Sequence, residues 1–312
     1  MRRIAGVFLA VASVLGAQPR KPIQDVRIDI LSTMLTGNAG LGEWGFAAVV
    51  EADGRRILFD TGARPETVLR NAEELRIDLS GITDVILSHN HGDHTGGLLT
   101  LRRELGRRKQ SAISKAYVGA GAFWQRSETS VLAAAKNAYE SGGGTFTEVA
   151  SAREIFPGAW LTGPVKRVHA EKNYGGTGKV RNAEGLWVED NLPEDMSLVL
   201  ETTKGLVVVA GCGHAGIVNI LEQARREISK APVHAAIGGW HLFAATDEHL
   251  DWTASKLKEF GVENFLGAHC TGIEAVYRIR QRAGLTRRTC ATGAVGGGFT
   301  LKDGLRPGTL AK

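Results

Sequence analysis

The chain has 312 residues, 43% hydrophobic and 23% charged, with 40 glycines, 8 prolines and a formal charge of +5. That profile is globular and leaves room for one large core or two small ones, with many tight loops and no disordered composition. Basic residues are scattered apart from Arg102-Arg103 and Arg107-Arg108-Lys109, the latter cluster a solvated helix end and not a nucleic-acid stripe, and three cysteines without regular spacing make no disulfide framework.

Arg2 and Arg3 precede an apolar stretch, Ile4 to Ala17, with a small residue before Gln18-Pro19-Arg20. This reads as a signal peptide over residues 1–17, too short and too rich in Ala and Gly for a stable membrane span. The expectation is export to the periplasm or the medium, with the charge of the mature chain falling from +5 to +3 as Arg2 and Arg3 leave.

Val26–Thr33 alternates as a strand does, and Phe46–Ala52 and Arg56–Asp60 form a hairpin through Asp53-Gly54. A second hairpin pairs Ser197–Glu201 with Leu206–Ala210, turning at Lys204-Gly205. From Asp84 onward one unit recurs: a short apolar strand, a His-bearing loop, then a helix. Val85–Ser88 leads to His89–His94 and a helix with Leu98, Leu101 and Leu105 on one face. Leu206–Ala210 leads to Gly211-Cys212-Gly213-His214 and a helix marked by Ile217, Ile220, Leu221 and Ile228. Val233–Ile237 leads to Gly238-Gly239-Trp240-His241 and a helix from Thr246-Asp247 to Gly261; Asn264–Ala268 leads to His269-Cys270-Thr271-Gly272 and Ile273–Ala283. Loops leaving the same ends of strands in a layered α/β fold converge on one crevice. With no linker between these units, residues 25–312 are expected to form a single domain with one shared site.

The central signal is Ser88-His89-Asn90-His91-Gly92-Asp93-His94-Thr95-Gly96-Gly97. Three imidazoles and a carboxylate within six positions suit a borderline ion such as Zn²⁺. An extended loop puts His89 and His91 on one side for one ion, while Asp93 and His94 turn toward a second.

H-x-H-x-D-H after an apolar strand resembles the signature of the metallo-β-lactamase superfamily. The resemblance implies a four-layer αββα sandwich with a one- or two-metal site at the strand ends. Asp60 in Phe59-Asp60-Thr61-Gly62 matches the aspartate that members place beside the metal loop. Residues 211–219, 238–242 and 269–272 are similar to a subgroup named for 7,8-dihydropterin-6-yl-methyl-4-(β-D-ribofuranosyl)aminobenzene 5′-phosphate synthase, over roughly residues 25–300.

On that resemblance His269 is the last ligand of the second metal, and His214 is a ligand near the place of the family's bridging aspartate, where this chain carries Cys212. Cys212 itself reads as a buried small residue, with a ligand role as the alternative. His169 falls in the chain order of a third histidine ligand, and a substrate contact or surface histidine is the other reading. His241 reads as a catalytic or pocket residue; His234 and His249 read as structural or exposed. The metal set is thus His89, His91, Asp93, His94, His214, His269 and His169, holding two zinc ions, with Mn²⁺ or Fe²⁺ also compatible; His91, where flavodiiron enzymes usually carry Glu, favours zinc.

A bound ion lowers the pKa of water to around 7, so the expected reaction is hydrolysis of an ester, lactone, amide or phosphoester by a metal-bound hydroxide oriented by Asp93. The alternatives are a transferase of the subgroup's type, which joins a dihydropterin diphosphate to a ribosylaminobenzene phosphate, and a non-catalytic metal-binding protein. The Gly-rich loop 173–179 reads as a flap, with Tyr174 and Lys179 touching a small-molecule substrate. Trp240 is placed at the pocket wall, and the other tryptophans in the core. No nucleic-acid partner is expected, and the oligomeric state is open.

Overall fold

Alternation along Val26–Ser32 and Ala47–Ala52 sends Ile28, Ile30, Ala48 and Val50 to one face and Leu31, Ala47 and Val49 to the other, as the two-residue period of a strand requires. Both faces are apolar, so both must be covered. In the computed structural model, which describes residues 21–171 and 178–311, they are. The stretch read as a signal and Tyr174 lie outside the described residues.

The first sheet has eight strands in the spatial order Gly304–Arg306, Gly298–Thr300, Val26–Ser32, Ala47–Ala52, Arg55–Phe59, Asp84–Leu87, Lys115–Gly119 and Thr145–Val149. The second has seven: Cys290–Thr292, Asn264–Ala268, Val233–Gly239, Gly205–Ala210, Leu198–Thr202, Ala159–Leu161 and Arg153–Phe156. Ile28, Val50 and Phe59 from the first meet Leu200, Val207, Val209 and Ile237 from the second in one core between the sheets. Each fully buried side chain of this size contributes roughly 1.5–3 kcal/mol. Outside the first sheet lie the helices Thr67–Glu74, Leu98–Arg108 and Val131–Ser141, which bury Val68, Leu101 and Tyr139. Outside the second lie Ile217–Glu227, Asp247–Glu259 and Ile273–Ala283, which bury Ile220, Leu257 and Ile279. Helix, sheet, sheet, helix: the αββα order is present.

Both hairpins form. Asp53 and Gly54 have φ of 47° and 79°, the pair of positive angles a two-residue primed turn demands. The second hairpin turns one residue earlier than the sequence suggests, with Thr202 paired to Gly205. Four strands of each sheet run parallel to a neighbour: Arg55–Phe59 through Thr145–Val149, and Gly205–Ala210 through Cys290–Thr292. Parallel neighbours need crossover connections, so their outgoing loops gather at one end. Among the described residues no helix is long and apolar enough to cross a membrane.

Candidate metal centre

The loop from His89 to His94 leaves the strand Asp84–Leu87 and closes into a single helical turn at Gly92–Thr95. That turn was not legible in the sequence, and it separates the donors. His89 and His91 fall into a group with His214; Asp93 and His94 fall into another with Cys212 and His269. In each group the donor atoms lie within 4.8 Å of one another. Ring centroids of His89 stand 4.6 Å from His91 and 4.8 Å from His214, and His91 stands 5.0 Å from His214. In the second group His94 Nε2 lies 3.1 Å from Cys212 Sγ, and His269 Nε2 lies 3.1 Å from Asp93 Oδ2.

Asp60 sets the orientation of two imidazoles. Its Oδ1 accepts the Ser88 backbone N–H at 2.7 Å, and its Oδ2 lies 2.7 Å from His94 Nδ1 and 2.8 Å from Ser88 Oγ. The Ser88 hydroxyl donates to Asp60, so it accepts from His89 Nδ1 at 2.9 Å. Both rings therefore carry their proton on Nδ1 and turn Nε2 to the site, a tautomer assigned from the network. The carboxylate fits there because residue 211 is glycine: a Cβ would meet Ser88 Oγ at 2.1 Å and Asp60 Oδ2 at 2.5 Å. Asp60, His241 and His269 hold φ of 56°, 44° and 48°, a left-handed conformation that costs roughly 1–2 kcal/mol for a side-chain-bearing residue.

The electrostatics follow from burial. Burial, then the neighbouring His94, His91 and His214, hold the His89 imidazole well below its ordinary pKa; burial brings His91 down to about 4. For His94, burial opposes the charged form, but Asp60 at hydrogen-bond distance raises it to about 9. Burial also opposes the Asp93 carboxylate, yet His269 and the surrounding imidazoles hold its carboxyl far below the usual range. His89 Nε2 is buried with no hydrogen-bond partner. Leaving a buried polar nitrogen unpaired costs on the order of 1–3 kcal/mol, and a cation facing it removes that cost. Imidazoles, a carboxylate and a thiol are the donors of a divalent transition ion, so the residues fit one, with the ion taking the place of a proton on His94 Nε2.

His241 follows the strand Val233–Gly239 and its ring stands 4.5 Å from that of His214; with Cys212 and His214 it forms a third donor group. Trp240 does not reach the pocket wall. It is fully buried behind the second sheet, stacked 6.4 Å from Phe265, because adjacent residues leaving a strand point to opposite faces and His241 takes the site face. The tryptophan at the pocket is Trp44, half exposed, with its ring 5.0 Å from that of His269. His169 is not brought to the cluster: its Nε2 meets Glu222 and its ring packs 5.9 Å from Trp252. Lys179 is exposed on a two-stranded ribbon, Lys179–Arg181 with Trp187–Glu189. His234 pairs with Glu263 at 2.9 Å and His249 lies on the helix Asp247–Glu259.

Sequence reasoning missed the clamp on the metal loop. Glu194 Oε1 accepts the Asn90 N–H at 3.0 Å, its other oxygen pairs with Arg126 at 2.7 Å, and Arg126 also holds Asp190 at 2.7 Å. Asn90 Oδ1 in turn accepts the Leu132 N–H at 2.9 Å. Cys270 was also missed; its sulfur lies 3.3 Å from that of Cys212, and both are free thiols.

Comparison with known proteins supplies a context for this geometry. Residues 45–215 match the model of the metallo-beta-lactamase superfamily. The 7,8-dihydropterin-6-methyl-4-(beta-D-ribofuranosyl)-aminobenzene-5'-phosphate synthase of Methanocaldococcus jannaschii is 33% identical over 240 residues, covering 74% of this chain and 81% of that protein. Tm1679, a metal-dependent hydrolase of the beta-lactamase superfamily, superposes with a TM-score of 0.70 at 28% identity, covering 88% of this chain and 98% of the other. The metallo-beta-lactamase fold protein YhfI from Bacillus subtilis, at 12% identity and a TM-score of 0.50 over 88% of this chain and 98% of its own, shares the fold.

Proposed function

We propose, from the premise that the chain belongs to the metallo-beta-lactamase superfamily, that it is a metal-dependent hydrolase of a small-molecule ester, lactone, amide or phosphoester. The observation that carries the reading is the pair of donor groups, three imidazoles beside a carboxylate–imidazole–thiol set, at the joined ends of two sheets. His89, His91 and His214 would hold one ion, and Asp93, His94, Cys212 and His269 the other. Zinc is the proposed metal, since imidazole and thiolate donors suit it.

Bound divalent ions supply Lewis acidity, polarising a substrate oxygen and making an attacking water more acidic. The remaining work falls to the chain. Asp93, its carboxyl held ionised by His269 and the nearby imidazoles, accepts a hydrogen bond from that water and orients it. His241, half-buried beside His214, would give a proton to the leaving group. Asp60 and Ser88 keep the His94 and His89 rings from rotating, so the donors are preorganised and not gathered by the substrate.

A panel of esters, lactones, β-lactams and phosphodiesters, assayed with added zinc, tests the proposal. Hydrolysis that falls by at least about a hundredfold in His91→Ala supports it, and equal rates in the two proteins would sink it. A second reading is favoured by the 33% identity to the synthase: a group transfer. Product formed only when a pterin and an arylamine substrate are both supplied selects that reading.

Export belongs to the proposal as well, supported by the sequence Arg2–Ala17. N-terminal sequencing of the chain made in a bacterial host tests it. A mature protein starting after Ala17 outside the cytosol supports export; an intact Met1 chain confined to the cytosol overturns it.

A further inference from the structure

Beside the second donor group lies a pocket of about 530 Å³ whose floor is His269. Its walls come from five separate segments, and four of these carry large exposed side chains: Met34 at 46%, Trp44 at 49%, Phe243 at 54% and Ile273 at 60%. Large apolar side chains scattered singly over a surface need no explanation; four converging on one hollow do. Trp44 stands at the centre of an aromatic run. Its ring meets Phe243 edge-on at 5.9 Å and His269 at 5.0 Å, and Phe243 meets His241 at 5.1 Å.

The charge of the lining is as informative as its apolarity. Among the described residues no lysine or arginine lines the pocket, and the one lining carboxylate is the exposed Glu274. A phosphate or carboxylate on a ligand would find no cation among these lining residues except at the metal donors, and it would meet the exposed carboxylate of Glu274 at the rim, a repulsion that water and salt partly screen. A neutral ring would extend the edge-to-face array already made by Trp44 and Phe243.

We infer that this pocket is the substrate's binding subsite for an uncharged aromatic group, held between Trp44 and Phe243 while the reacting bond lies at His269 and Asp93. The inference rests on the hydrolase reading for the position of that bond, and it adds what the substrate carries: a neutral aryl portion. The phosphate end of a phosphorylated substrate would have to lie elsewhere.

Calorimetric titration of the metal-free protein with naphthol and with naphthyl phosphate tests the subsite without catalysis. Naphthol should bind, and a Trp44→Ala/Phe243→Ala double variant should weaken that binding about tenfold or more with an unchanged circular dichroism spectrum. Naphthyl phosphate should bind at least about tenfold more weakly than naphthol, and Glu274→Lys should narrow the gap. Naphthol binding that ignores the double variant, or naphthyl phosphate binding as well as naphthol, overturns the proposal. So does a dimer that buries this face, seen by sedimentation as a species lost in Trp44→Ala, with no naphthol bound. Naphthol binding by a protein that hydrolyses no ester leaves the subsite standing and removes the hydrolase reading; naphthyl acetate hydrolysis with naphthol binding unaffected by the double variant does the reverse.

Discussion

The sulfurs of Cys212 and Cys270 lie 3.3 Å apart, in contact and unbonded, one of them 3.1 Å from His94 Nε2. Cys212 follows the strand Gly205–Ala210 and Cys270 follows Asn264–Ala268, so the contact spans the strand between them. Burial pushes the Cys212 thiol well above its ordinary pKa; burial also opposes ionisation of Cys270, but hydrogen bonds to Cys212 and His241 hold its thiol well below the ordinary value, which makes Cys270 the nucleophile of the pair.

An ion held by Cys212 occupies the sulfur lone pair that oxidation would attack. In metal-free protein, hydrogen peroxide is expected to join Cys212 and Cys270: two thiols give up two protons and two electrons, and the peroxide is reduced to two waters. Thiol titration after denaturation should then show two of the three cysteines lost, and zinc-loaded protein should keep all three. A Cys270→Ser variant that loses its thiols just as fast, or a mass gain from added oxygen in place of the loss of two hydrogens, contradicts this.

Asp60→Asn keeps the shape beside His94 and removes the charge that fixes its Nδ1 proton. Zinc affinity, measured by competition with a chelator, should fall about ten- to a hundredfold. Gly211→Ala should do comparable harm, because its methyl group would displace the Asp60 carboxylate. An Asp60→Asn protein with wild-type affinity would show that the ring is fixed by something else.

His89→Ala and His169→Ala separate cluster from surroundings. His89 sits with His91 and His214, whereas His169 pairs with Glu222. Metal analysis of the purified proteins should find about one ion fewer per chain in the first variant and no change in the second. Loss of metal in His169→Ala would bring that residue back among the ligands.

Asp195 gives a pH dependence with a definite sign. Its side chain is buried, and burial raises the carboxyl to about 7 from 3.8, although Oδ2 accepts the Ala215 N–H. The folded chain therefore keeps this proton through a window in which the unfolded chain has lost it. Its contribution to stability is full below about pH 4 and is lost as pH rises through about 7. Asp195→Asn removes that dependence, so the variant's stability relative to the parent should rise between pH 5 and pH 8, by about 1 kcal/mol or more. Urea unfolding of both metal-free proteins at the two pH values measures it; a constant difference would mean Asp195 ionises freely in the fold.

What the sequence made legible had local causes. Leu98, Leu101 and Leu105 share a helix face by spacing alone, and Ile273–Ala283 has the boundaries the pattern predicts. The His89–His94 motif is dense enough to stand out, and the convergence of four loops follows from their position after strands. Between residues 111 and 195 the strands run from three residues, at Ala159–Leu161 and Lys179–Arg181, to five, at Lys115–Gly119 and Thr145–Val149, too few to display a period. Glu194 meets Asn90 across 104 positions, a pairing with no local trace. The motif beside His241 drew Trp240 to the pocket wall and left Trp44 to the core; the packing of the second sheet reverses the two, burying Trp240 and leaving Trp44 at the pocket.

Donors to the two groups proposed to hold the ions come from both sheets: His89 to His94 follow a strand of the first, while Cys212, His214 and His269 follow strands of the second. His94 and Cys212 are 118 positions apart in the chain, and such long-range partners meet late when a protein refolds. Neither half of the chain alone completes either of these two groups. Ion uptake during refolding should thus trail the collapse of each sheet and coincide with their docking, so that a metal-sensitive dye would time the moment the two halves of this molecule become one.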